Sequence, residues 1–483
     1  MYSAAMRRAA AGWLLWLAVA FGLFNSGLPR ERFRTVQQHF GAGQWPGLAD
    51  AIRAYVTNDG DVRRYFAYAQ AARGRPYQSY FIRTAEAWRG AFAAAEPYRP
   101  DEWPTVTPDR PLTPYRDYLV EYPPGFFAAA LPPAWLAADA DGYVKWFGAM
   151  MALALTGAFA LMAWALGRRR GHPFPIGRAM GWGALGVFLL GVVATHRYDA
   201  TVALALAFSA WATVARRPVA LGIAVGLAIA LKLTPVLVVP LFAMLALREQ
   251  RGRDLAISAA AAALAVLALA SPSLIAAGGR LVETLRYHAD RPVQIESTWG
   301  ALLGLVHAVA PGAVLVEKTF GSTNVAGPLS QTAGRLAALA TASGLLAVYF
   351  LTWRRLGAAG AADRARATFA ASAAVFAVFI ACGKVSSPQY LVWILPLGLV
   401  LSLSDGERLG LTLFLAVLAL TQLIYPVCYA GLEALRPAAC ALVLARNLLL
   451  LAWAFRLLAR QPGPGPGAIA TGSVEAAGQE PAL

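Results

Sequence analysis

The side chains able to do chemistry are few in this sequence and fall in short stretches. TNDGDVRRYFAYAQAARGRPY, residues 57–77, sets Asp59 and Asp61 ahead of an amphipathic segment, with Tyr65 four residues after Asp61. EYPPGFF, 121–127, supplies Glu121 and Tyr122 before two prolines that fix the direction of the chain. THRYD, 195–199, brings together His196, Arg197 and Asp199, and Lys232 stands alone in LKLTP, 231–235. YHADRPVQIES, 287–297, crowds His288, Asp290, Arg291, Gln294 and Glu296 between two apolar segments, and SSPQYLVW, 386–393, adds Ser387, Gln389 and Tyr390. Carboxylates of this kind can take up a proton, and arginine or lysine can pair with an anion.

Each stretch also has a plainer use. Asn58 or Asp59 suits a helix N-cap, which leaves one acid of the Asp59–Asp61 pair free. Glu121 can sit solvated in a rigid turn, and an arginine near a helix end often serves as a surface anchor. Lys232 can snorkel to an interface. The case for function is collective.

The elements that must position these groups are membrane helices. The chain is 58% hydrophobic and 14% charged, and several uncharged runs approach the roughly 20 residues that cross a bilayer. A net charge of +16 could suggest nucleic acid. In a membrane chain, basic residues gather instead in short cytoplasmic loops, so no nucleic-acid partner is expected. With RRR 168–170, RR 216–217, REQRGR 248–253, RR 354–355, DRAR 363–366 and RLLAR 456–460 all inside, about twelve spans result, both ends cytoplasmic. The expected class is an all-α polytopic membrane protein with a long first extracytoplasmic loop.

The expected divisions are a first span within 1–27, an outer loop over 28–141, a bundle over 142–271, an outer region over 272–331 and a second bundle over 332–460. The tail, 461–483, opens on QPGPGPG and reads as disordered. Residues 218–247, apolar except for Lys232 and flanked by basic groups at both ends, predict a hairpin that turns at LKLTP. Its legs are too short to cross, so Lys232 is sunk in the outer leaflet, costly unless it lines a wet cavity or meets an anion. The apolar part of 298–331 reads as a re-entrant or interface-lying helix. On this topology the polar stretches surround one outward cavity, while the span midplanes stay nearly uncharged.

Asp61 to Tyr65, followed by GRPY (74–77) and EYPPG (121–125), resembles the first outer loop of the GT-C glycosyltransferases. More narrowly, it is similar to the polyprenyl-phosphate-sugar-dependent mannosyl- and arabinosyltransferases of glycosyltransferase family 87. GIAVGLAIALKLTPVLVVP (222–240), YHADRPVQIES and SPQYLVWILP (387–396) also resemble that family, so the likeness runs from about residue 55 to 400. The stretch of about 81–116, between GRPY and EYPPG, is longer than the family pattern.

The resemblance implies an inverting glycosyltransferase at the outer face of the cell membrane. It moves mannose, another hexose or arabinose from a polyprenyl phosphate to a lipid-linked or cell-envelope glycan acceptor. Asp61 is then the expected base, with Asp59 in support and Glu121 in reserve. Tyr65, Tyr122, Arg197, Lys232, His288, Arg291, Glu296, Gln389 and Tyr390 are the expected substrate-binding residues, and Arg291, Lys232 and His288 face the donor phosphate. No cofactor is expected, and no metal, since five His show no zinc spacing and the donor carries one phosphate. Cys382, Cys428 and Cys440 are expected as thiols buried near span ends rather than as a disulfide. The rival reading is a lipid or sugar transporter or flippase, which would place charges near the midplane in repeated broken helices; no such repeat is seen.

Overall fold

The computed structural model describes residues 2–23, 59–79, 105–169 and 174–460. The tail, Asn58 and much of the first outer loop therefore lie outside the described residues. The chain is almost wholly helical. In order run α1 (Tyr2–Trp16), α2 (Gly60–Ala72), the strands β1 (Tyr77–Gln78) and β2 (Thr105–Val106), α3 (Phe126–Leu136), α4 (Ala140–Arg169), α5 (Ile176–Leu190) and α6 (Asp199–Val214). Then follow α7 (Pro218–Leu231), α8 (Val239–Arg248), α9 (Gly252–Ala277), α10 (Leu281–Asp290), β3 (Val293–Gln294), α11 (Thr298–Val309), β4 (Leu315–Thr319) and β5 (Ser322–Ala326). The remainder is α12 (Pro328–Ala358), α13 (Ala361–Cys382), α14 (Tyr390–Ser404), α15 (Arg408–Gln422), α16 (Tyr429–Glu433) and α17 (Pro437–Ala459).

Among the described residues, seven helices are long and apolar enough to cross a membrane. Burial separates their roles. α14, apolar on every face, is buried from Leu391 to Ser404 and forms the axis of the bundle, packed by α4, α5, α6, α13 and α15. α9, a long and largely apolar helix, buries no residue: Leu264 is 67% and Ile275 86% exposed. On α12, Leu346 is 67% exposed. Apolar surface of that extent needs a partner, and hydrocarbon is the one its length fits.

The expected hairpin is present. α7 stops at Leu231, Lys232 is extended, and α8 begins seven residues later after a short 3-10 turn. A Cβ on Gly222 would strike Ser258 O, and one on Gly226 would strike Ala262 O. Equal steps in the same sense mean that α7 and α9 run parallel, so α8 must return. Arg216, Arg217, Arg251 and Asp254 accordingly lie around one groove.

Two expectations fail in detail. The region after 272 does not open as a loop, because α9 continues through Pro272 and a 3-10 turn into α10, helical as far as Asp290. Pro272 lies inside α9, whose other backbone bonds carry the helix across it. The 298–331 region is indeed a short helix, α11, but a three-stranded sheet of order β3-β5-β4 follows, with Val293 opposite Val325 and Gln294 opposite Asn324. The three cysteines are free.

The basic clusters collect at one end of the bundle. Arg366 pairs with Asp405, Arg456 and Arg460 reach Glu407, and Arg364 donates to Arg248 O at 3.0 Å. α13 leads from Arg366 to Cys382, so the chemistry-bearing stretches lie at the other end, roughly 25 Å away at 1.5 Å per residue.

Candidate functional site

α2 carries Asp61, Arg64, Tyr65 and Tyr68 at helical spacing, on neighbouring faces. Arg64 Nη1 donates to Glu121 Oε1 at 2.7 Å, and Tyr68 OH donates to Glu121 Oε2 at 2.5 Å. The carboxylate of EYPPG is thereby clasped on both oxygens. Gly125 explains the rest of that motif. Its N–H donates to Ala230 O at 3.0 Å, and a Cβ there would meet Ala230 C at 2.5 Å, so only glycine lets the loop close on the end of α7. The loop is fastened from α10 as well: Thr284 Oγ1 donates to Val120 O at 3.0 Å, and His288 Nε2 donates to Glu121 O at 2.9 Å.

YHADRPVQIES is strapped to the 382–387 turn. Gln294 N donates to Lys384 O at 2.9 Å, Lys384 Nζ donates to Ala289 O at 2.6 Å, and Ser386 N donates to Gln294 Oε1 at 3.1 Å. Ser297 caps α11 by accepting from Gly300 N, and Gly300 lies so close that a Cβ would stand 2.2 Å from Gln294 O.

These stretches enclose a cavity of about 780 Å³. Asp61, Glu121, Tyr122, Arg197 and Lys232 line it, together with His288, Arg291, Glu296, Gln389 and Tyr390. Arg197 Nε sits 2.9 Å from Asp61 Oδ2. Burial pushes the Asp61 carboxyl up, but Arg197, then Arg64, Lys232 and Arg291, outweigh it and hold it below the usual carboxylate range. Asp61 is the more open of the two acids, its side chain 30% exposed against 10% for Glu121. Burial, helped by Arg197, drives His196 down to about 4, so that ring stays neutral beside the cavity.

Two expected residues are not brought in. Tyr65 is 1% exposed and packs edge-on against Tyr122, Phe126 and Tyr198, so its ring supports the wall from behind. Asp59 neither lines the cavity nor caps α2 with its side chain; it accepts from Arg63 Nε at 2.9 Å, and Arg63 also reaches Asp141. Two residues, roughly half a helical turn, separate it from Asp61, so the two carboxylates point to different sides. Lys232 meets an anion, as its burial demands, but the anion is Asp199 at 2.6 Å. The ammonium lies 5.0 Å from the Tyr198 and Trp393 ring centres and 5.2 Å from that of Tyr390.

Arg64, Tyr425 and Tyr429 were not singled out from sequence as site groups, nor was the pairing of Lys232 with Asp199. Neither was Arg446, 1% exposed within α17, which donates to Glu296 O at 2.7 Å and Ser386 Oγ at 3.1 Å. It also corrects the expectation of nearly uncharged spans. An arginine and an asparagine inside ALVLARNLLLLA were a legible signal, since ionisable groups in a span are costly unless used.

Pairing leaves a residue of charge. Arg64 is matched by Glu121, Arg197 by Asp61 and Lys232 by Asp199. Arg291 and Lys384 also line the cavity and form no ion pair among the described residues, and Arg291 Nε is buried without a hydrogen-bond partner. Apolar side chains line the same cavity, Leu233, Val236 and Leu237 together with Ala338, Ala342 and Leu345 of α12. The site can thus hold an anion joined to an apolar chain beside an accessible carboxylate.

Glu121 has the bonds of a scaffold. Glu121→Gln is expected to lower the melting temperature, since a hydrogen bond to a charged group is worth roughly 1.5–3 kcal/mol, and to slow turnover only several-fold through a displaced Arg64. Total loss of activity at an unchanged melting temperature would make Glu121 the proton acceptor instead.

Fold and site together define a helical membrane protein with one charged, part-apolar cavity at one end of its bundle. No model of a known protein family matches the chain, and no curated protein does.

Proposed function

We propose that the protein is a GT-C-type membrane glycosyltransferase, similar to glycosyltransferase family 87, which takes a sugar from a polyprenyl phosphate. That reading takes the seven long helices as spans and adds α1, α6, α7, α8 and α14 to reach twelve. The basic end is cytoplasmic by the positive-inside rule, which puts the cavity on the extracytoplasmic face of the cell membrane. One observation carries the proposal. A single cavity joins unmatched Arg291 and Lys384, an open carboxylate at Asp61 and an apolar wall running about 16 Å along α12 from Gly334 to Leu345.

In this mechanism the prenyl chain lies along the apolar wall and the phosphate against Arg291, whose planar fork suits two phosphate oxygens. The acceptor hydroxyl attacks the anomeric carbon from the side opposite the phosphate. The new C–O bond forms as the sugar–phosphate bond breaks, its electron pair leaves on the phosphate, and the configuration inverts. Asp61 takes the hydroxyl proton. A depressed carboxylate suffices, because the hydroxyl acidifies as its oxygen bonds to a ring that carries positive charge. Arg291 and Lys384 meet the charge developing on the phosphate in a partly dry site.

The test gives membranes containing the protein radiolabelled polyprenyl-phosphate mannose or arabinose and separates the products by thin-layer chromatography. Label should pass into an acceptor lipid or glycan. Label that stays wholly on the donor while the donor crosses the bilayer would establish the transporter instead.

A further inference from the structure

Glu296 holds a buried carboxylate oxygen that has nothing to bond. The residue is 3% exposed and lines the cavity. Its Oε2 accepts from Gln294 Nε2 at 2.6 Å, while its Oε1 is buried with no hydrogen-bond partner among the described residues. The arrangement cannot easily relax. Gln294 Oε1 accepts from Ser386 N at 3.1 Å and lies 3.4 Å from the Ser387 hydroxyl, so the amide presents its NH₂ to Glu296. Beneath, Arg446 fixes the Glu296 carbonyl, and Asn447 Nδ2 donates to Thr298 Oγ1 at 2.8 Å. A buried acceptor left bare is costly, and one held from three sides points to a partner that arrives with a ligand.

The surroundings select that partner. Tyr425 and Tyr429 line the same part of the cavity, and both hydroxyls feel the Glu296 charge. Neutral hydrogen-bonding groups and ring faces mark this side as the place for a polyol, whereas an anion is served by Arg291 and Lys384. Burial lifts the Glu296 carboxyl to about 7, against the pull of Arg446 and Arg291, so both of its forms occur near neutrality. A hydroxyl satisfies either form, since it both donates and accepts. A phosphate oxygen suits only the protonated acid and a cation only the ionised one.

We propose that Glu296 Oε1 binds one hydroxyl of the transferred sugar, which makes Glu296 the residue that selects the donor by its sugar. This rests on the donor reading given above. Gln294 is then a positioning residue, and Arg446 holds the turn that presents both.

The test measures binding by calorimetry to the full-length protein in lipid nanodiscs. The probes are a short prenyl phosphate without sugar, its mannosyl, glucosyl, galactosyl and arabinosyl derivatives, and the monodeoxy analogues of the tightest binder. In the wild type, one monodeoxy analogue should bind at least about tenfold more weakly than its parent, because a site built around a hydroxyl rejects the ligand that lacks it. In Glu296→Leu that gap should close, with affinity for the sugarless phosphate unchanged. Glu296→Gln keeps the shape but fixes each position as donor or acceptor, so it should shift the gap at least threefold. It decides the matter should Glu296→Leu not fold. Discrimination unchanged at every carbon in the folded variants overturns the proposal. So does weakened binding of the sugarless phosphate, which would make Glu296 a support for Arg291. The donor reading fails separately, and the proposal with it, if no sugar adds affinity over the bare prenyl phosphate in the wild type.

Discussion

Asp61→Asn should lower sugar transfer by at least the roughly hundredfold credited to a general base, while donor binding changes little. Asn keeps the size of the side chain beside Arg197, whose Nε sits 2.9 Å from the carboxylate. It cannot accept a proton. The side chain is 30% exposed, so the lost ion pair is part-screened and the melting temperature should move by only a degree or two. Asp59→Asn is the control. It breaks the Arg63 pair outside the cavity and should leave transfer within a few-fold of wild type. The pH profile separates the two acids further. Arg197 and its neighbours hold the folded pKa of Asp61 below the usual range. The base is therefore ionised at and above the ordinary carboxylate range, and activity that depends on it falls only as pH drops below that range. A rising limb near neutrality would assign the proton to another group. Wild-type transfer by purified Asp61→Asn would remove Asp61 from the chemistry altogether.

Much of this site was legible because it is built from short runs that interrupt apolar sequence. A polar cluster between spans has few places to go, and ten of the twelve expected residues do line one cavity. Tyr65 and Asp59 were misjudged for a common reason. Tyr65 sits on α2 and Asp59 just before it; the sequence does not say which face of α2 meets the bundle, and only the packing on Phe126 and the Arg63 pair show which side chains turn inward. The hairpin at Lys232 followed from charge at both of its ends and a proline in the middle. The β-hairpin of β4 and β5 did not, because LVEKTFGSTNVA carries mixed polar and apolar residues that a connector could equally hold, and the pairing with β3 is set by tertiary contacts. Arg446 was overlooked because it lies more than forty residues beyond the last resembling motif, within a helix that otherwise reads as plain span.

Lys232→Met should destabilise the protein by roughly 3–5 kcal/mol, because breaking a buried pair leaves Asp199 charged and uncompensated. Asp199 is 1% exposed, and the Trp393 indole N–H donates to the same carboxylate oxygen as Lys232. A single neutral donor does not replace an ammonium. Lys232→Met/Asp199→Asn removes both charges and keeps a side chain that can accept from Trp393, so most of the lost stability should return. Thermal unfolding of the two variants in detergent or nanodiscs measures this directly. Recovery in the double variant would show that the pair holds α7, α6 and α14 together at the point where the hairpin turns. The donor then distinguishes a second role. If Arg291 and Lys384 carry the phosphate, the double variant should bind the short prenyl phosphate within about threefold of wild type, a change of less than the 1.4 kcal/mol that corresponds to tenfold. A tenfold or greater loss in a variant of restored stability would mean that Lys232 shares its charge with the donor, and that Asp199 serves to hold the ammonium ready for a second anion.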